Sequence, residues 1–131
     1  YDSGVVNLGT PKCDWLLDNA LIAAIANDRV NGKLSLRAQI DARIEIQQAG
    51  EYNVVEFAAA IYGNDAEGIQ IKIEYTTDSG TTWTTAEKVV TVYGRQLETY
   101  RFYLPEGIKR IAFVIEGTGR RVNIDDIKLM K

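Results

Sequence analysis

Histidine is absent from this 131-residue chain, and cysteine occurs once, as Cys13. The first absence removes the Ser-His-Asp and Cys-His arrangements of nucleophilic catalysis, along with zinc sites that need an imidazole. A single cysteine cannot form a disulfide within the chain. Flanked by Lys12 and Asp14, it reads as structural and not as an activated thiol. Two prolines and no low-complexity run argue against a disordered tail. No apolar run approaches the roughly 20 residues of a membrane-spanning helix, so no membrane span is expected.

What is present is an ordinary globular composition, 46% hydrophobic and 25% charged. One domain over 1–131 is expected, able to bury roughly two-thirds of its unfolded surface without metals or disulfides. The chain starts at Tyr1 and not at Met, which suggests a piece excised from, or appended to, a larger secreted protein. The net charge of −3 is unevenly spread. Residues 1–94 carry 7 basic and 13 acidic side chains, a balance of −6, and residues 95–131 carry 8 and 5, a balance of +3. Such asymmetry reads as solvated surface, and nucleic-acid binding by this domain alone is not expected.

The clearest local signal is Gly68 to Thr85. Ile69, Ile71, Ile73 and Tyr75 alternate with Gln70, Lys72, Glu74 and Thr76, the period of a half-buried strand. Asp78-Ser79-Gly80 then supplies a side-chain acceptor and a residue free to take positive φ, so the chain turns back as a hairpin closed by Trp83. Similar alternation predicts strands at 34–38, 42–46, 52–62, 90–92, 99–104 and 110–116, with turns at 27–33, Asp41, 48–51, 63–68, 105–107 and 117–119. Val5-Val6 marks an edge strand or arm. Asp14 to Asn27 is ambiguous: Leu17, Leu21 and Ile25 have helical spacing, yet the flanking sequence is β, so a strand with irregular ends stays open. In the last segment Val122 and Ile124 fall on even positions but Ile127 and Leu129 on odd ones. All four stay inside only if a β-bulge at Asp125-Asp126 absorbs one residue. Nine or ten short strands with almost no helix indicate an all-β fold, an antiparallel β-sandwich of jelly-roll or galactose-binding-like type, with Phe57, Ile71, Phe102 and Phe113 enclosed.

Two stretches carry a family resemblance. Thr76-Thr77-Asp78-Ser79-Gly80-Thr81-Thr82-Trp83 resembles the Asp-box hairpin, and Val122 to Leu129 is similar to the last strand of MAM-like and carbohydrate-binding jelly rolls. With Trp15 and the strand at Gly32 to Arg37, nearly the whole chain is similar to jelly-roll accessory domains of secreted Bacteroidetes-type nucleases, proteases and glycosidases. The resemblance implies a non-catalytic module that is secreted, periplasmic or at the cell surface. Its implied partners are a carbohydrate ligand and a catalytic domain of the same polypeptide. A structural or protein-interaction domain is the alternative.

Candidate chemistry follows from the strand phases. Ala58, Ala60 and Tyr62, then Arg101 and Tyr103, then Arg110, Ala112 and Val114 are expected on one face opposite the core. Tyr62 and Tyr103 would stack on sugar rings, while Arg101, Arg110 and Glu56 would bind hydroxyls or acids. Alternatively, Asp14 to Asn27 covers that face and the alanines are packing. Asp125 and Asp126 could contribute to a structural calcium site, or else cap a turn. Asp78 is expected to stabilise its turn, not to catalyse.

Overall fold

The computed structural model describes residues 4–7, 14–23, 35–46, 52–78 and 80–130. Cys13, the turns expected at 27–33 and 48–51, and the start of the Gly32 to Arg37 strand lie outside them. The described residues form nine strands and no helix: β1 Gly4–Asn7, β2 Asp14–Ala23, β3 Ser35–Ile46, β4 Val54–Ile61, β5 Ile69–Thr76, β6 Thr84–Val92, β7 Glu98–Tyr103, β8 Arg110–Gly117 and β9 Arg121–Met130. Every pairing is antiparallel. The ambiguous segment is extended over Asp14–Ala23, since pairing to β1 and β3 outweighs its modest helical propensity.

Two layers result, and β3 belongs to both. Its first half pairs β9 through Leu36 to Gln39, and its second half pairs β8 through Arg43 to Glu45. One layer thus runs β7-β4-β9-β3 and the other β6-β5-β8-β3, with β2 alongside β3 in each. Asp41, expected to turn the chain between two strands, instead bends one continuous strand: its φ is 70°, facing Asn19 at 60° on β2. Asn and Asp tolerate this left-handed region better than other non-glycine residues. Asn19 Nδ2 also donates to Ile40 O at 3.0 Å, tying the two bends together.

Between the layers lie the alternating apolar residues. Val55, Phe57, Ala59 and Ile61 of β4 face Ile69, Ile71 and Ile73 of β5 and Ile111, Phe113 and Ile115 of β8, all at most 1% exposed. Phe57 meets Phe113 across the gap edge-on, with centroids 5.2 Å apart and planes at 82°, and lies 6.0 Å from Phe102 within its own layer. Each of these valine, isoleucine and phenylalanine side chains contributes about 1.5–3 kcal/mol by leaving water.

The bulge on β9 is present where the phase shift required it. Glu56 pairs Lys128 and Ala58 pairs Asp125, so Phe57 alone opposes two residues, and Asp126 takes φ 51°. Val122, Ile124 and Ile127 are all buried. Deleting Asp126 is expected to remove the bulge and leave a regular strand with Ile127 and Leu129 still inward, so cooperative urea unfolding should persist. Asp126→Gly should leave the midpoint equal or higher, because glycine accepts that φ freely.

The β5–β6 turn is organised by Thr76 and Asp78. The buried Thr76 hydroxyl donates to Asp78 Oδ1 at 2.6 Å and accepts the N–H groups of Asp78 (3.3 Å) and Gly80 (3.1 Å). Asp78 Oδ1 also accepts from Thr81 N and Thr82 N, at 3.1 and 3.0 Å. Gly80 has φ 104°, and its carbonyl accepts from Trp83 Nε1 at 3.2 Å. The Thr76 hydroxyl first, then the Thr82 N–H, hold the Asp78 carboxyl down at about 2. A depressed pKa stabilises the fold above the unfolded value near 4, and that contribution disappears as pH falls toward 2. Asp78→Ala should therefore melt a few degrees below wild type at pH 7, with the gap closing between pH 4 and pH 2 in thermal scans.

Candidate functional site

The outer face of the β7-β4-β9 layer brings together three of the five residues singled out from the sequence. Glu56 on β4 pairs Arg101 on β7. Arg101 Nη2 donates to Glu56 Oε1 at 2.5 Å, and Nη1 reaches the Tyr103 hydroxyl at 3.4 Å. The Arg101 hydrogen bond holds the Glu56 carboxyl below its ordinary value, with Lys128, 3.8 Å away, adding to the effect. Tyr103 is 74% exposed and presents a free aromatic surface at the end of β7.

Tyr62 is elsewhere and differently placed. It lies six residues along from Glu56, about 20 Å at strand rise, and is 5% exposed. The guanidinium carbons of Arg37 and Arg121 lie 4.5 and 4.3 Å from its ring centroid, one cation–π contact each. Arg121 is itself anchored on Asp65, at 2.7 and 2.9 Å, and that pairing lowers the Asp65 pKa. Tyr62 is thus a packed residue at the base of the β4–β5 loop and not an open platform. Ala58 and Ala60 are buried too, although β2 extends the sheet beyond β3 and does not lie across them.

Arg110 corrects the expected single face. It sits on β8 in the opposite layer, so Arg110, Ala112 and Val114 face out on the far side of the sandwich from Arg101 and Tyr103. Alternation along a strand determines which side chains share a face, but not which strands share a sheet. Arg110 Nη1 there approaches Glu45 Oε1 at 3.9 Å, beside the Arg43–Glu74 pair at 2.5 Å, and Arg43 covers the Trp83 ring at 4.6 Å.

The sequence did not disclose a cleft of about 530 Å³ on the flank where β6 and β7, the free edges of the two layers, come side by side. Phe102, Leu104, Ala86 and Tyr75 form its apolar part, with Thr84, Thr85, Glu87, Lys88 and Tyr103 supplying polar groups. Lys88 Nζ spans the flank and donates to Arg101 O at 2.6 Å. The broken alternation of Thr84 to Lys88 was the available signal: Ile73 of β5 opposes three residues of β6, 86–88.

Asp125 Oδ1 accepts the Asp126 N–H at 2.8 Å, capping the bulge. Among the described residues no three Asp, Glu, Cys or His side chains gather. Asp125 thus makes the turn-capping contact that was the alternative to a calcium site.

No protein-family profile matches the chain, and no curated protein matches it. Solved structures do. The K2 cleaved adhesin domain of Lys-gingipain aligns with TM-score 0.73 and 14% identity over 89% of this chain and 88% of its own. A family 43 arabinoxylan arabinofuranohydrolase from Bacillus subtilis, solved with cellotetraose, aligns with TM-score 0.61 and 14% identity; it spans 100% of this chain but 27% of the hydrolase. The carbohydrate-binding module TmCBM61, solved with β-1,4-galactotriose, aligns with TM-score 0.59 and 18% identity over 89% and 88%. At these identities the likeness concerns the fold, and the fold is the jelly-roll β-sandwich shared by carbohydrate-binding modules and adhesin domains.

Proposed function

We propose that this chain is a non-catalytic carbohydrate-binding domain, secreted, periplasmic or on the cell surface, that serves a catalytic domain of the same polypeptide. The observation that carries this reading is the flank cleft with the exposed Tyr103 at its lip. Its volume lies within the range of roughly 300–1,000 Å³ usual for small-ligand sites. A sugar ring has an apolar C–H face that stacks on an aromatic ring and a rim of hydroxyls that needs polar partners. Tyr103 offers the first, and Thr84, Thr85 and Glu87 offer the second.

Support from outside the site comes from the fold neighbours, most of which are carbohydrate-binding modules. The partial alignment with the arabinofuranohydrolase fits a module joined to a larger enzyme. The Asp-box-like hairpin and the last strand, which resemble accessory domains of secreted Bacteroidetes-type enzymes, favour the same setting. Glycoside hydrolysis ordinarily uses two carboxylates about 5–10 Å apart, whereas Glu87 is the one carboxylate among the described residues that lines the cleft. That favours binding over turnover.

A glycan array followed by calorimetry tests the proposal. Wild type should retain an oligosaccharide without cleaving it. Tyr103→Ala should weaken binding about fivefold, as loss of a stacking contact worth about 1 kcal/mol predicts, with the melting temperature unchanged. Full-strength binding by Tyr103→Ala would remove the cleft from the proposal. An array with no bound glycan would shift the function to protein interaction.

A further inference from the structure

We propose that the flank cleft selects saccharides that carry a negative charge, a uronate carboxylate or a sulfate ester, and that Lys88 recognises that charge. The inference rests on the carbohydrate-binding reading above and specifies its ligand class.

Lys88 occupies an unusual position for a lysine. Val90 and Val92 of β6 point into the core, and Lys88 stands two residues earlier, at the phase that faces the other layer. The three-residue excursion at 86–88 opposite Ile73 displaces it to the mouth of the flank. There its ammonium lies 5.3 Å from the Phe102 ring centroid while donating to Arg101 O at 2.6 Å. Both partners are neutral. An ammonium has three N–H donors, so two remain for a ligand.

Neighbouring cations are compensated differently. Arg101 is paired with Glu56, Lys72 with Glu116 at 2.6 Å, and Arg43 with Glu74. Among the described residues no carboxylate pairs with Lys88, Glu87 included, although Glu87 lines the same cleft. Lys88 is exposed, so a cation held only by a π face and a carbonyl dipole is open to an incoming anion, and the attraction is weakened by salt. The anion would take the two remaining donors of Lys88 while Arg101 O keeps the third, with Tyr103 beside it to receive the sugar ring.

The interaction also accounts for the flank remaining open. Leu104 N donates to Asn53 O at 2.7 Å, and antiparallel alternation then points the backbone groups of Thr99, Arg101 and Tyr103 away from β4. Lys88 occupies one of these outward carbonyls, which discourages another strand from adding to β7.

Binding of the whole chain to polygalacturonate and heparin, each beside its neutral counterpart (methyl-esterified and desulfated respectively), tests the inference. At least one charged polymer should bind tenfold or more tightly than its counterpart, and more weakly as salt rises. Lys88→Gln keeps a donor for Arg101 O and should remove that preference while leaving the melting temperature and any neutral-glycan binding unchanged. Equal binding of charged and neutral polymers, or a charge preference that survives in Lys88→Gln, overturns the inference and leaves the carbohydrate reading standing. Failure of every glycan to bind overturns both.

Discussion

The paired bends of β2 and β3 are the constraint on which the architecture depends. Asn19 and Asp41 both take left-handed backbone angles, and Asn19 Nδ2 bridges to Ile40 O. Between Asp18 and Ala20 on β2, the opposing strand runs from Arg43 back to Ala38, so Asn19 alone faces four residues. This irregularity lets one hairpin leave one layer and enter the other without breaking its own pairing. Because β3 serves both sheets, β9 and β8 are placed on opposite sides of the core, and the remaining strands follow from them.

From that placement comes the flank. A sandwich closed through β2 and β3 on one side must end in free strands on the other, here β6 and β7. Free edges expose backbone donors and acceptors and are a liability for aggregation. This chain meets the problem with a lysine across the gap and with bulky groups at the lip. The same devices leave a recess containing an aromatic surface, hydroxyls and a cation. Edge protection and the candidate ligand site are one piece of structure.

The contrast along β4 shows how little a strand's phase says about use. Glu56 lies on β4 and Tyr62 directly follows the strand, six residues on from Glu56 and at the same alternation phase. At one end, Glu56 meets Arg101 and an exposed Tyr103; at the other, two arginines and the Asp65 loop enclose Tyr62. Loop anchoring also involves Arg95, which donates to the carbonyls of Gly63 and Asp65 at 3.0 and 2.9 Å. Three arginines thus pack one tyrosine and its loop, and two of them, Arg95 and Arg121, belong to the basic last third of the chain.

Strand periodicity, the Thr76–Trp83 turn, the enclosed Phe57, Phe102 and Phe113, and even the β9 bulge were legible in the sequence, because each is a contest among residues near in the chain or at a fixed period. The Glu56–Arg101–Tyr103 cluster was legible for the same reason, as both strands have simple alternation. Whether Asp14–Ala23 was helix or strand, that Asp41 bends one strand, that Arg110 belongs to the far layer, and that Tyr62 is covered were decided only by tertiary structure. These depend on which strand pairs with which, and pairing is settled by contacts between residues tens of positions apart. The Lys88 cleft is the extreme case, since it exists only where two free edges from separate layers are brought side by side.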